Sequence, residues 1–199
     1  MRQKDEEKKE SIKQAVIKLI LEQGFHGASI AKIAREAGVS PATVYIYYAN
    51  KDDMLREIYE EYADQAYFYL LGIINSNMSG KELIDTMVRC FYDYINEEQR
   101  VFHFVEQFSS CPSLAGNCRE TRGCLEVFKL FDELKEKKIL KDIDNVIVYS
   151  MLFNTVKCIH LRYGESGEKA QLQAALDQLV EVLAETLLLP DTTLSNLVR

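Results

Sequence analysis

Apolar residues recur three and four positions apart along almost the whole chain, and strict alternation is scarce, so the pattern predicts helix after helix and no sheet. Ile12, Val16, Leu19 and Ile20 share one face of a first helix, Ser11 to Gln23, which Gly24 ends. A second helix begins after Ser29, turns Ile30, Ile33, Ala34 and Ala37 inward and stops at Gly38. A third starts at Pro41 behind the cap Ser40, and Asn50 caps a long helix from Lys51 to Ile74. Ser79 and Glu82 stand at capping-box spacing at the head of a helix that ends near Ile95. Further helices are predicted over Glu97 to Phe108, Asn117 to Lys137, Asp142 to Tyr163 and Glu168 to Leu189. Cys111-Pro112-Ser113 and Gly164-Glu165-Ser166-Gly167 separate them, and Pro190 closes the last. The expected fold class is therefore all-α.

With 199 residues, 47% of them hydrophobic, and only three prolines, the chain buries a real core and is not a low-complexity or disordered polymer. Its longest apolar runs fall far short of a membrane span. The first ten residues, MRQKDEEKKE, are charged where a secretory signal needs an apolar stretch, so a cytoplasmic protein without membrane contact is expected. The net charge of −7 argues against coating nucleic acid non-specifically. It is unevenly placed: residues 1–55 carry nine Lys/Arg against eight Asp/Glu, which leaves fifteen against twenty-three in the remainder. An acidic body would stay away from a polyanion that a near-neutral head touches. The five cysteines, Cys90, Cys111, Cys118, Cys124 and Cys158, are odd in number and form no CxxC pair, which argues against a disulfide framework or zinc ribbon.

The segment Ser29 to Lys51, SIAKIAREAGVSPATVYIYYANK, carries the functional signal. A helix, a glycine turn and a second short helix make a helix-turn-helix arrangement. Ser29 and Ser40 cap the two helices, with hydroxyls and first free N–H groups able to face phosphate. Ala34 and Ala37 are small enough for a close crossing, Gly38 tolerates a sharp turn, Val39 plugs the corner, and Pro41 suits a first helical turn. Val44 and Tyr48 face inward, while Ala42, Thr43 and Ile46 face outward between Tyr45 and Tyr47. Thr43 offers a hydroxyl and a methyl to base edges, and tyrosine hydroxyls reach phosphates. Lys51, at a helix start where its charge gains nothing from the dipole, is explained by a phosphate partner. The same pattern also fits two ordinary crossed helices with the tyrosines as packing residues. A helix before it and a long one after it, close to the start of the chain, favour the DNA-binding reading.

Residues 11–55 resemble the DNA-binding head of the TetR family of bacterial transcriptional repressors. The resemblance rests on Gly24-Phe25, Ser29-Ile30, Ile33-Ala34, Ala37-Gly38-Val39-Ser40, Thr43-Val44-Tyr45, Tyr47-Tyr48, Lys51 and Met54-Leu55. It implies about nine helices, a head over residues 1–50, a regulatory and dimerisation body over residues 51–199, a homodimer, and a small-molecule ligand that releases double-stranded operator DNA. Position by position it implies DNA contacts at Ser40, Pro41, Ala42, Thr43, Tyr45, Tyr47 and Lys51, with Ser29 on a phosphate. The chain departs from the family pattern at Pro41-Ala42 and Tyr47-Tyr48. Because Pro41 to Tyr48 carries no charge, phosphate attraction falls to Lys51, Lys32, Arg35 and the N-terminal lysines.

In the body, Leu172, Leu176, Leu179, Leu183 and Leu187 form a near-heptad stripe, and Val146, Tyr149, Phe153, Val156 and Ile159 form a second. Paired across a two-fold axis they would make a four-helix dimer interface; an internal core seam is the alternative. Tyr62, Tyr69, Phe91, Phe104, Phe108 and Phe128 are the candidate lining of a pocket for an apolar or aromatic ligand, with Asn154 and Lys157 from the stripe Ser150-Asn154-Lys157 as its polar handle. No cofactor or metal is expected. No Glu-x-x-His pair, glycine-rich phosphate loop or nucleophile–base spacing supports an enzyme. Two rival readings remain: a thiol or metal sensor using Cys111, Cys118 and Cys124, and a dimeric adaptor that does not bind DNA.

Overall fold

The computed structural model describes residues 2–75, 77–111, 121–164 and 166–190. They fold into α1 (Arg2–Gly27), α2 (Ile30–Glu36), α3 (Pro41–Tyr47), α4 (Lys51–Ile73), α5 (Gly80–Glu97), α6 (Gln99–Ser109), α7 (Arg122–Glu136), α8 (Asn145–Tyr149), α9 (Thr155–Tyr163) and α10 (Lys169–Leu187). A π-helical turn, Ser150–Asn154, joins α8 to α9 without a break. The fold is all-α as the periodicity predicts, and the described residues form no sheet, only an isolated bridge between Leu140 and Leu188. The first residues of the predicted helix Asn117 to Lys137 lie outside the described residues.

The chain forms two compact units, one of residues 1–63 and 99–121, the other of residues 64–98 and 122–199. The division falls inside α4 rather than ahead of it, and α6 joins the first unit.

In the first unit α1 packs on α2 and α6, and α2 on α3. Ile12, Val16, Ile20, Ile33, Val44, Leu55, Ile58, Phe104 and Phe108 make its core, and full burial of such side chains stabilises by roughly 1.5–3 kcal/mol each. Helix α1 begins at Arg2, well before the predicted Ser11. The added turns hold through a polar ladder that hydrophobic periodicity does not register. The Lys9 ammonium lies 5.9 Å from the centre of the Tyr48 ring. The Tyr62 hydroxyl donates to the Glu10 carboxylate at 3.2 Å. Lys13, a buried lysine, pairs with Glu61 and Glu10. Gly24 interrupts α1 at φ 68°, ψ 176°, a region only glycine occupies readily, so the predicted stop is a kink followed by a last turn.

In the second unit α5 packs on α10 and α9. The capping box reads as predicted: the Ser79 N–H donates to Glu82 Oε2 at 2.6 Å, and the Glu82 N–H donates to Ser79 Oγ at 3.2 Å. Leu176, Leu179, Leu183 and Leu187 are buried within this chain, and Leu172 is half-buried. Along α8, the π turn and α9 the buried residues are Val148, Leu152, Phe153, Val156 and His160, whereas Val146 is exposed and Tyr149 and Ile159 are half-buried. Phe153 anchors an aromatic cluster in which Phe91 meets it edge-on at 4.8 Å and Tyr149 lies 4.9 Å away. The Tyr67 and Tyr149 hydroxyls are hydrogen-bonded at 2.6 Å, and Phe128 approaches Tyr149 edge-on.

Candidate nucleic-acid interface

Two serines and a glycine build the α2–turn–α3 unit. Ser29 Oγ accepts from the Lys32 N–H at 3.3 Å and Ser40 Oγ from the Thr43 N–H at 3.1 Å, so both predicted caps satisfy helix-start donors. Ser40 Oγ also lies 2.9 Å from Thr43 Oγ1, which orients the threonine. Gly38, at φ 67°, closes α2: its N–H donates to the Arg35 carbonyl and the Val39 N–H reaches back to the Ala34 carbonyl at 2.9 Å. Val44 is fully buried and Tyr48 nearly so, which turns the opposite face of α3 outward. Pro41 and Ala42 are exposed, Tyr45 is 56% and Ile46 77% exposed, and Thr43 and Tyr47 are half-buried. A large apolar side chain as open as Ile46 at the end of a short, pinned helix suits contact with a thymine methyl rather than core packing.

The charges around this face differ from expectation. Lys51 Nζ donates to the Phe25 carbonyl, and Lys32 Nζ donates to the Gly27 carbonyl and to Gln23 Oε1, each at 2.7 Å. Both lysines therefore tie down the turn after the Gly24 kink. Lys51, for which a phosphate partner was expected, thus has a backbone acceptor in its own chain. Arg35 is exposed. The Tyr47 hydroxyl donates to the Asp5 carbonyl at 3.3 Å and approaches its carboxylate at 3.5 Å; desolvation first, then the Asp5 charge and hydrogen bond, push the phenol's pKa up. Burial, reinforced by Glu57, Glu61 and Glu10, pushes that of Tyr48 up as well.

The candidate pocket residues fall into both units. Tyr62, Phe104 and Phe108 pack in the first, where Phe108 stacks on Tyr59 at 4.3 Å. Tyr69, Phe91, Phe128, Asn154 and Lys157 belong to the second. There Phe91 and Phe128 join the aromatic cluster, Tyr69 and Asn154 are exposed, and Lys157 is half-buried. Sequence reasoning placed Tyr149 and Phe153 in a dimer stripe and missed Tyr67; the cluster they form is a long-range meeting that no local spacing signals. Among candidate dimer residues, Val146 is exposed, whereas the α10 leucines from Leu176 onward face their own core. The open apolar side chains on α9 and α10 are Leu161 at 72% and Val182 at 55% exposure. Cys118 lies outside the described residues, Cys111 and Cys124 are half-buried, and the described residues contain no group of three metal-binding side chains. No helix among them is long and apolar enough to cross a membrane.

A glycine-turned pair of short helices with an uncharged, outward second helix is a helix-turn-helix unit, and the described residues that follow it along the chain are mainly helical. Residues 12–58 match the family model of bacterial regulatory proteins, tetR family. The chain is similar to the fatty acid metabolism regulator protein of Bacillus subtilis (strain 168), 24% identical over 174 residues covering 85% of this chain and 90% of that one. Among solved structures, a TetR-family regulator from Shewanella sp. PV-4 superposes with a TM-score of 0.78 at 17% identity, covering 92% of this chain and 98% of that one. The Bacillus subtilis regulator FadR in complex with stearoyl-CoA superposes with a TM-score of 0.69 at 23% identity, covering 87% of this chain and 96% of that one.

Proposed function

We propose that the chain is a homodimeric repressor that lays the α3 helices of two copies into successive major grooves of operator DNA and is released by an apolar small molecule. The observation that carries the DNA reading is the outward face of α3, Pro41, Ala42, Thr43, Tyr45, Ile46 and Tyr47, held by buried Val44 and Tyr48. Ser29 and Ser40 serve first as caps. The dimer reading now uses Leu161 and Val182 rather than the leucine stripe of α10. Beside Val182, Gln171, Ala174, Gln178 and Thr186 make one side of α10 largely uncharged, with Glu185 the one charge on it, whereas Asp177 and Glu181 pair with Arg89 and Lys81 of α5. That polarity suits burial against a second copy.

For the ligand, the aromatic cluster of Tyr67, Phe91, Phe128, Tyr149 and Phe153 supplies an apolar wall with a hydroxyl pair. Similarity to a fatty acid metabolism regulator, and to a structure holding stearoyl-CoA, makes a long-chain acyl thioester the first class to test. The decisive experiment selects duplexes from a random pool and measures affinity by fluorescence anisotropy. Tyr45→Ala with Ile46→Ala should lower affinity for the selected duplex at least tenfold with an unchanged melting temperature. Stearoyl-CoA, but not free coenzyme A, should release the duplex. Affinity unchanged at saturating acyl-CoA removes that ligand class, and normal binding by the double variant removes the interface.

A further inference from the structure

We propose that Asp5 is an internal competitor for the hydroxyl of Tyr47, so that the N-terminal turns of α1 set how readily α3 engages DNA; the proposal rests on the DNA-binding reading above. Tyr47 is the last residue of α3. Its hydroxyl carries a single donor hydrogen, and in the free chain that hydrogen is directed at Asp5, 3.3 Å from the carbonyl and 3.5 Å from the carboxylate. A phosphate oxygen needs the same hydrogen, so the two acceptors exclude each other.

The placement of Asp5 is built, not incidental. Four residues on, Lys9 covers the ring of Tyr48. Glu10 takes hydrogen bonds from Tyr62 and from Gln14, and Lys13 pairs with Glu61. Residues 5, 9 and 13 thus lie along one face of the helix, which meets the end of α3 and the middle of α4. The two Tyr47 contacts are long for hydroxyl bonds, so the hold is weak and a phosphate can displace it. The carboxylate adds a second effect of the same sign, because it repels phosphate approaching Tyr47. Nothing on α3 offsets that charge: Pro41 to Tyr47 has no cation, and Lys32 and Lys51 are bonded to the chain's own carbonyls. Asp5 is exposed, so its replacement leaves the core intact.

The test uses the full chain and a duplex selected from a random pool by the wild type, or by Asp5→Asn should the wild type retain none, at two salt concentrations. Asp5→Asn keeps the backbone carbonyl and an amide oxygen but removes the charge that makes the carboxylate the stronger acceptor, and it should bind about two- to fivefold more tightly at low salt, less so at high salt. In a Tyr47→Phe background the same substitution should gain clearly less, because the hydroxyl it competes for is gone. Equal or weaker binding by Asp5→Asn, with a wild type that does bind, overturns the competitor and leaves the DNA reading standing. An equal gain with and without the Tyr47 hydroxyl also overturns it, since charge alone then accounts for the effect. If neither wild type nor Asp5→Asn retains any duplex, both readings fall together.

Discussion

Helices α2 and α7 end in the same hydrogen-bond pattern on different residues. At α2 the turn residue is Gly38 at φ 67°; at α7 it is Lys138 at φ 58°, with the Lys138 N–H bonded to the Lys135 carbonyl and the Ile139 N–H to the Leu134 carbonyl. A side chain in this left-handed conformation costs about 1–2 kcal/mol. A methyl at Gly38 would meet nothing within 4 Å, so backbone strain alone acts there. Gly38→Ala should therefore destabilise by about 1 kcal/mol, whereas Lys138→Gly should stabilise by up to about 1 kcal/mol; urea midpoints of the two variants check both signs. At α5, hydrogen bonds from the Ser79 backbone and side chain hold the Glu82 carboxyl below the ordinary carboxylate value. The stability that its ionised form adds is complete above that ordinary value and is lost as pH falls through the lowered one. Wild type should thus exceed Glu82→Gln at pH 6, and the two should converge in strong acid, while Ser79→Ala should cost about 1 kcal/mol at neutral pH. Caps and glycine turns were legible because each is a local rule with few acceptable residues; Lys138 was not, because its turn breaks the residue preference.

At the scale of elements, the leucine stripe of α10 shows what periodicity leaves open. A run such as Leu176, Leu179, Leu183 and Leu187 states that one face is buried but not whose helix buries it; here it is α5 and α9 of the same chain. The stripe on α8 and α9 slipped for another reason. The π turn over Ser150–Asn154 takes an extra residue, so the buried positions Val148, Leu152, Val156 and His160 recur every four residues instead of following the 3.6-residue period. The two candidate faces separate cleanly by mutation. Leu183→Ala removes a buried side chain and should cost about 2–5 kcal/mol. Val182→Asp or Leu161→Asp, at exposed positions, should leave chemical unfolding of the protomer nearly unchanged yet shift sedimentation from dimer to monomer. A Val182→Asp, Leu161→Asp protein that remains a dimer rules this face out as the contact.

Charge decides the behaviour of the whole molecule on DNA. A chain of net charge −7 whose first 55 residues carry nine cations against eight anions has little long-range pull on a polyanion. The structure lowers that pull further, because Lys32 and Lys51 are held by the carbonyls of Gly27 and Phe25. With Arg35 and a few N-terminal lysines left, each copy can neutralise about two or three phosphates, so a dimer should show a slope of log affinity against log salt of about −4 to −5. Lys51 then distinguishes two accounts of one residue. If it serves only the turn after Gly24, Lys51→Gln should lower the melting temperature and leave the salt slope as it was. If it leaves Phe25 for a phosphate on binding, the same variant should flatten the slope by about 1 per copy. The bond to the Phe25 carbonyl favours the first outcome: exchanging it for a phosphate would strip a backbone acceptor at the kink that orients α2.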